Sequence, residues 1–181
     1  MLNICTKCLK FVESERMKKL KPYKLVEDTP LSTLEEAAVQ YETMRVILGG
    51  NKTLPKSIST ENDLISLSRA GIKKSSLKSL TSYLGISMDK MSSLIHTSHR
   101  NLQRKDEDEL LDTLKSEKVL ELAAFTKRGI DVLGNDVAFK QWLHSPLISL
   151  GNKKPIDFLD TSFGVQMALK ILGRLEQGVY S

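Results

Sequence analysis

Between Thr60 and Lys105 the chain is punctuated at short intervals by residues that start and stop helices, and little else can be built from such a string. Thr60 can cap a helix from about Glu61 to Ala70, with Leu64, Ile65 and Leu67 on its apolar face and Gly71 as its stop. The next spans about Ser75 to Leu84. Gly85-Ile86 then leads to Ser87, which can cap Met88 to Ile95. His96-Thr97 makes a tight turn, and Ser98 can cap a final short helix from His99 to about Lys105. Two short helices across a tight turn have the cadence of a helix-turn-helix.

The flanks are helical too. Thr33, or Ser32 before it, can cap a helix with Glu35 and Glu36 near its positive end and Leu34, Ala38, Tyr41, Val46 and Leu48 along it, ended by Gly49-Gly50. Asn51 to Ser59, holding Pro55 and small polar residues, reads as a linker and domain boundary. After Lys105, the acids Asp106 to Glu109 open a helix that Asp106 can cap, with Glu109 at the reciprocal position. It carries Leu110, Leu111, Leu114, Val119, Leu122, Ala123 and Phe125 and stops at Gly134. Its apolar phase shifts near Lys115 to Lys118, as expected of a core helix or of a connecting helix that packs on two modules. Asp136 to His144 follows, with Ala138, Phe139, Trp142 and Leu143 on one face. Trp142 is read as a packing centre, with an interface anchor as the other reading. Pro146 ends that helix, Gly151 permits a turn, and Pro155 can open a short helix, with Leu150 and Leu159 sealing the core. The last helix, about Ser162 to Gln177, is expected to bury Phe163, Met167, Ile171 and Leu175 and to stop at Gly178.

Charge separates the parts. The net charge is +5 over 181 residues, yet residues 64–105 hold eight Lys/Arg against the single acid Asp89. A basic middle between acidic segments is either the footprint of a nucleic-acid-binding module or a solvated basic face. The short helix after Ser98 is the candidate reader of DNA. Ser98, His99, Arg100, Asn101, Gln103, Arg104 and Lys105 are its DNA-facing candidates, since Arg reads guanine edges, Asn or Gln reads adenine, and Lys meets phosphate. Leu102 is its inward anchor. One short reader contacts few bases, so a homodimer on palindromic operator DNA is expected, with the helix over Leu31 to Leu48 as part of the interface.

Other classes find less support. The sequence lacks G-x-G-x-x-G, a P-loop, G-x-S-x-G and H-E-x-x-H, and His96, His99 and His144 lie in two separate modules, so no catalytic residues, cofactor or enzyme activity are expected. Cys5 and Cys8 are half a zinc site at most, or two incidental reduced thiols, and no metal is expected. The longest unbroken apolar run, Leu122 to Phe125, is far short of a membrane span, and polar residues interrupt Leu2 to Leu9 before a secretory segment can form, so no membrane and a cytoplasmic location are expected.

The C-terminal anchors are more specific. Trp142-Leu143 with Pro146, then Leu150-Gly151 followed by Pro155-Ile156-Asp157-Phe158-Leu159, then Gly173-Arg174-Leu175-Glu176-Gln177-Gly178-Val179-Tyr180-Ser181, together resemble the C-terminal toxin-binding module of the Xre/MbcA/ParS antitoxins. Leu84-Gly85-Ile86-Ser87 and Ser98-His99-Arg100-Asn101-Leu102-Gln103-Arg104-Lys105 resemble the same family's helix-turn-helix. His96 stands where the family has a turn glycine and Thr97 where it has an aliphatic residue, which predicts a less regular turn. The resemblance covers about residues 60–181. It implies an antitoxin that binds a RES-domain, NAD-consuming toxin at its active-site entrance and represses its own promoter. Arg174, Glu176, Gly178, Val179, Tyr180 and Ser181 would be its toxin-binding residues, unless the last four fold back as a helix cap. The alternative is a stand-alone helix-turn-helix regulator with a C-terminal dimerisation module. The expected fold is all-α in three parts: 1–58, an extension with one helix and a candidate for dimerisation; 59–106, the helix-turn-helix DNA-binding module; and 107–181, a connecting helix and toxin-binding module.

Overall fold

Local capping decides where the helices begin. In the computed structural model, which describes residues 41–54 and 58–178, residues 41–47 are helical (α1), followed by α2 (Glu61–Ala70), α3 (Ser75–Leu84), α4 (Met88–Leu94), α5 (His99–Arg104), α6 (Thr113–Leu133), α7 (Asp136–His144) and α8 (Ser162–Glu176). Short 3-10 turns occupy Gly50–Lys52, Ile148–Leu150 and Pro155–Phe158. Among the described residues there are no strands, so the fold is all-α. At α2 the Thr60 hydroxyl accepts the Asp63 N–H at 3.2 Å while the Asp63 carboxylate accepts the Thr60 N–H at 3.0 Å, a capping box that satisfies two otherwise orphaned donors.

The organising element is α6. It packs against α2, α3, α7 and α8, and Val119, Leu122, Ala123 and Phe125 from its length enter one continuous apolar core. That core takes in Met44 and Ile47 of α1 with Leu48 after it, and Val165, Ala168 and Leu172 of α8. Asn51 to Ser59 is no plain linker: Leu54 and Ile58 are buried in the same core, and the Thr53 hydroxyl donates to the Leu48 carbonyl at 2.6 Å.

The start of α6 differs from the sequence expectation. Asp112, not Asp106, is its cap, accepting the Lys115 N–H at 2.9 Å, and Asp106 to Leu111 is not helical. The reason is tertiary. The backbone of this segment serves the N-terminus of α3: the Lys74 N–H donates to the Glu109 carbonyl and the Ser75 N–H to the Glu107 carbonyl, both at 2.9 Å, and the Leu111 N–H donates to Ile72 at 2.8 Å. With these carbonyls and the Leu111 N–H directed to the α2–α3 connection and the start of α3, the segment's hydrogen bonding is met without helical turns of its own. Glu109 still accepts the Asp106 N–H at 3.3 Å, so the reciprocal half of the expected box exists without the helix. Leu110 and Leu114 consequently face solvent, at 52% and 78% exposure, while Leu111 is buried.

The phase shift near Lys115 to Lys118 has a local cause. Ser116 is buried; its hydroxyl accepts the Ile72 N–H at 3.0 Å and donates to the Leu111 carbonyl at 3.2 Å, pinning the α2–α3 connection onto α6. Ser116→Ala leaves a buried N–H without a partner and is expected to destabilise the fold by about 1–3 kcal/mol. Urea unfolding would register this as a lower midpoint with an unchanged slope. An unchanged midpoint would mean that the Ile72 amide finds another acceptor.

A second difference lies in the first half of α8: Ile171 is buried and Leu175 packs against the core as expected, but Phe163 and Met167 are not. Gly164, Val165, Ala168, Ile171 and Leu172 turn inward, whereas Phe163 is 87% exposed and Met167 36%. A glycine stands at 164 because α8 lies against the backbone of the Pro155–Phe158 turn there: a Cβ on Gly164 would come within 1.8 Å of the Phe158 carbonyl oxygen.

Candidate DNA-reading and partner-binding surfaces

Residues 87–105 form a helix, a turn and a second helix. The Ser87 hydroxyl accepts the Lys90 N–H and the Ser98 hydroxyl accepts the Asn101 N–H, both at 3.2 Å, so Ser98 serves the backbone as the cap of α5. Between the helices the Thr97 N–H donates to the Ser92 carbonyl at 2.9 Å and the His96 N–H to that of Ser93 at 3.2 Å. This is a Schellman termination, whose left-handed position favours glycine. His96 occupies it with φ 54°. A non-glycine residue there costs about 1–2 kcal/mol. The opposing contact is a hydrogen bond of 2.9 Å from the His96 ring Nε2 to the Asp160 carbonyl beyond the 3-10 turn. The turn therefore keeps its form without its glycine.

Leu102 is buried and holds α5 to the core, as its apolar position predicts. Arg100, Asn101, Gln103 and Arg104 point to solvent, and among the described residues their side chains have no partner. His99 differs, its Nδ1 lying 3.6 Å from Asp89. Lys105 differs too: its ammonium pairs with Glu109, and its carbonyl accepts from the half-buried end of Lys74 at 2.5 Å, a cation placed on the negative end of α5. The set chosen from sequence is thus brought to one short helix, but three of its seven members are already engaged within the protein.

Beside α5, Thr97, Asn101, Arg104, Lys105, Glu109 and Lys115 line one shallow cleft. Lys115 comes from α6, outside the helix-turn-helix. Its only sequence signal was the break in the apolar phase. The hydrogen bond from Lys105 holds the Glu109 carboxyl below its ordinary value, with the Asp106 amide and Lys74 adding to the effect. A depressed carboxyl stays ionised at neutral pH and releases its partner only as pH falls through the lowered value. Glu109→Gln should therefore free Lys105, tighten binding to DNA of any sequence and steepen the salt dependence by about one counterion. Fluorescence anisotropy with random duplex across a salt series checks this; an unchanged slope would place Lys105 off the DNA.

The C-terminal residues gather around an aromatic cluster. Phe125 of α6 meets Phe139 of α7 edge-on at 5.8 Å, and Trp142 lies against both at 6.4 Å. Trp142 is partly exposed, and its buried Nε1 has no hydrogen-bond partner among the described residues. Gly129 in α6 leaves room for the Phe139 ring, since a Cβ there would lie 2.2 Å from it. His144 Nε2 bonds the Leu84 carbonyl at 2.8 Å, joining α7 to the end of α3, and Lys90 approaches Asp157 at 3.6 Å.

At the far end, Gly178 takes φ 71° just past α8, the stop expected of it. Arg174 is exposed. Glu176 pairs with Arg128 of α6, both about half exposed, so its first partner lies within the chain. Val179, Tyr180 and Ser181 lie outside the described residues, as do Cys5, Cys8 and the expected helix before Tyr41. Among the described residues no helix is long and apolar enough to cross a membrane.

Comparison with known proteins gives consistent matches. Residues 63–124 match the family model of the antitoxin Xre-like helix-turn-helix domain, and residues 128–178 match that of the antitoxin Xre/MbcA/ParS C-terminal toxin-binding domain. Over 80 residues the chain is 28% identical to Antitoxin Xre of Yersinia enterocolitica serotype O:8 / biotype 1B, an alignment covering 44% of this chain and 54% of that protein. The chain thus spans about half the length of the curated relative it matches. Among solved structures, the crystal structure of the M. tuberculosis MbcT-MbcA toxin-antitoxin complex aligns with a TM-score of 0.44 at 20% identity, covering 60% of this chain and 96% of that one. The helix-turn-helix match over residues 63–124 and the C-terminal match over residues 128–178 make the chain similar, in both of these segments, to the Xre/MbcA/ParS antitoxins.

Proposed function

We propose that this antitoxin neutralises a RES-domain toxin that consumes NAD, covering the toxin's active-site entrance with its C-terminal module, and that it represses its own promoter through α5. It acts by binding, as a homodimer on operator DNA in the cytoplasm. Residues 59–106 carry the DNA module, 107–181 the connecting helix and toxin-binding module, and 1–58 contribute to dimerisation. Ser98, His99, Arg100, Asn101, Gln103, Arg104 and Lys105 form the DNA face, and Arg174, Glu176, Gly178, Val179, Tyr180 and Ser181 the toxin-facing end.

The observation that carries the reading is the unpartnered row of Arg100, Asn101, Gln103 and Arg104 on an exposed helix, held on the same core as the module that matches a toxin-binding domain. Polar and cationic side chains left without partners on a helix anchored by Leu102 suit base edges and phosphates. The test is co-expression with the adjacent reading frame. A stable complex is expected, in which the neighbour's NAD consumption is suppressed. Deleting Val179, Tyr180 and Ser181 should leave a folded protein that binds DNA and fails to protect cells from the toxin. Full protection by the truncated chain would place inhibition elsewhere on the module.

A further inference from the structure

We propose that Phe163, Met167, Lys170 and Arg174 form a docking stripe along α8 that seats the toxin, with Phe163 filling an apolar pocket and Lys170 and Arg174 meeting carboxylates beside it. The proposal rests on the toxin-binding reading above and gives it a second surface, distinct from the terminal three residues.

The positions i, i+4, i+7 and i+11 lie within an arc of about 60° on an α-helix and extend about 16 Å along it. All four are exposed, Phe163 at 87%. The core has no use for them, because α8 turns Gly164, Val165, Ala168 and Leu172 inward. A phenylalanine left this bare beside a methionine matches the residue types enriched at protein interfaces, where an aromatic anchor in a pocket carries most of the binding.

The other half of the stripe indicates the partner's chemistry. Lys170 and Arg174 have no carboxylate partner among the described residues, and the one acid on the last turn of α8, Glu176, is held by Arg128. The stripe therefore carries two uncompensated positive charges, complementary to an acidic rim. Its last member, Arg174, lies in the final turn of α8, four positions before Gly178. The stripe falls wholly inside residues 128–178, the toxin-binding match.

The experiment titrates the purified product of the adjacent reading frame with the full chain and with Phe163→Asp, Met167→Asp and Lys170→Glu/Arg174→Glu, each shown to be folded by circular dichroism. Phe163→Asp should weaken binding roughly 30-fold or more. The double charge reversal should slow association and remove its salt dependence, while leaving affinity for promoter DNA unchanged. Equal affinity of all variants beside a binding unsubstituted chain overturns the stripe alone; no binding by the unsubstituted chain overturns the toxin reading and the stripe with it. Loss of self-association in Phe163→Asp, measured by sedimentation of the chain alone, would assign the stripe to a second copy and overturn the proposal. Loss of DNA binding by the charge reversal would do the same in favour of nucleic acid.

Discussion

Gly164→Ala is expected to lower stability by about 3 kcal/mol, the upper end of overpacking costs. The added Cβ would fall 1.8 Å from the Phe158 carbonyl oxygen and 2.7 Å from its carbon. These are backbone atoms of a turn opened by Pro155, not the free end of a side chain, so relief requires lifting α8 from the turn. That motion would open contacts of Val165, Ala168 and Leu172 with the core. For a chain of this size a loss of about 3 kcal/mol corresponds to a melting temperature lower by roughly 10 °C. Gly173→Ala in the same helix is the control. Nothing lies within 4 Å of its Cβ position, and replacing a glycine inside a helix should add up to about 1 kcal/mol. Opposite signs for the two variants in thermal unfolding would support the close approach at Gly164; equal effects would refute it.

Arg100→Ala combined with Arg104→Ala should abolish sequence-specific binding to the promoter upstream of the chain's own reading frame. Each arginine that pairs with a guanine edge contributes about 1–3 kcal/mol of discrimination, so the double variant loses on the order of a hundredfold or more. Stability should hold, because both side chains are exposed and make no contact within the described residues. Lys105→Ala should behave differently, with a smaller loss shared by all sequences, since its ammonium must first leave Glu109. Gel-shift titration on promoter and random duplex separates these patterns. Full promoter affinity in the double variant would remove α5 from the DNA interface.

The helices whose limits depend on their own residues were legible in the sequence. Thr60 and Gly71 bound α2, and Ser87 and Ser98 cap α4 and α5, because a hydroxyl accepting a nearby N–H is a local event. Asp106 was misleading for the opposite reason. It has the chemistry of a cap, but the carbonyls after it are committed to α3, a partnership across more than thirty residues that local pattern does not encode. The inward face of α8 was legible at Ile171 and Leu175, and not at Phe163 and Met167, where apolar size does not decide burial. Close approach to the Pro155–Phe158 turn selects Gly164 instead, and Phe163 and Met167 lie at the surface. On α5, residue types were legible and engagement was not: Lys105 and Glu109 form an ion pair that the sequence shows only as neighbouring opposite charges.

The shared flank of α6 bears on how such proteins can change over time. Since α2 and α3 pack against the same helix as α7 and α8, and His144 reaches back to the end of α3, a crossover that parts them within α6 would divide one continuous apolar core. Recombination that exchanges one α5 for another would have to carry α6 with it, and that helix also packs against α8. A lineage can therefore drift in the exposed residues of α5, or in those of α8, one substitution at a time, but it cannot trade either surface wholesale for that of a distant relative. On the proposed roles of α5 and α8, the two specificities are therefore inherited as one unit.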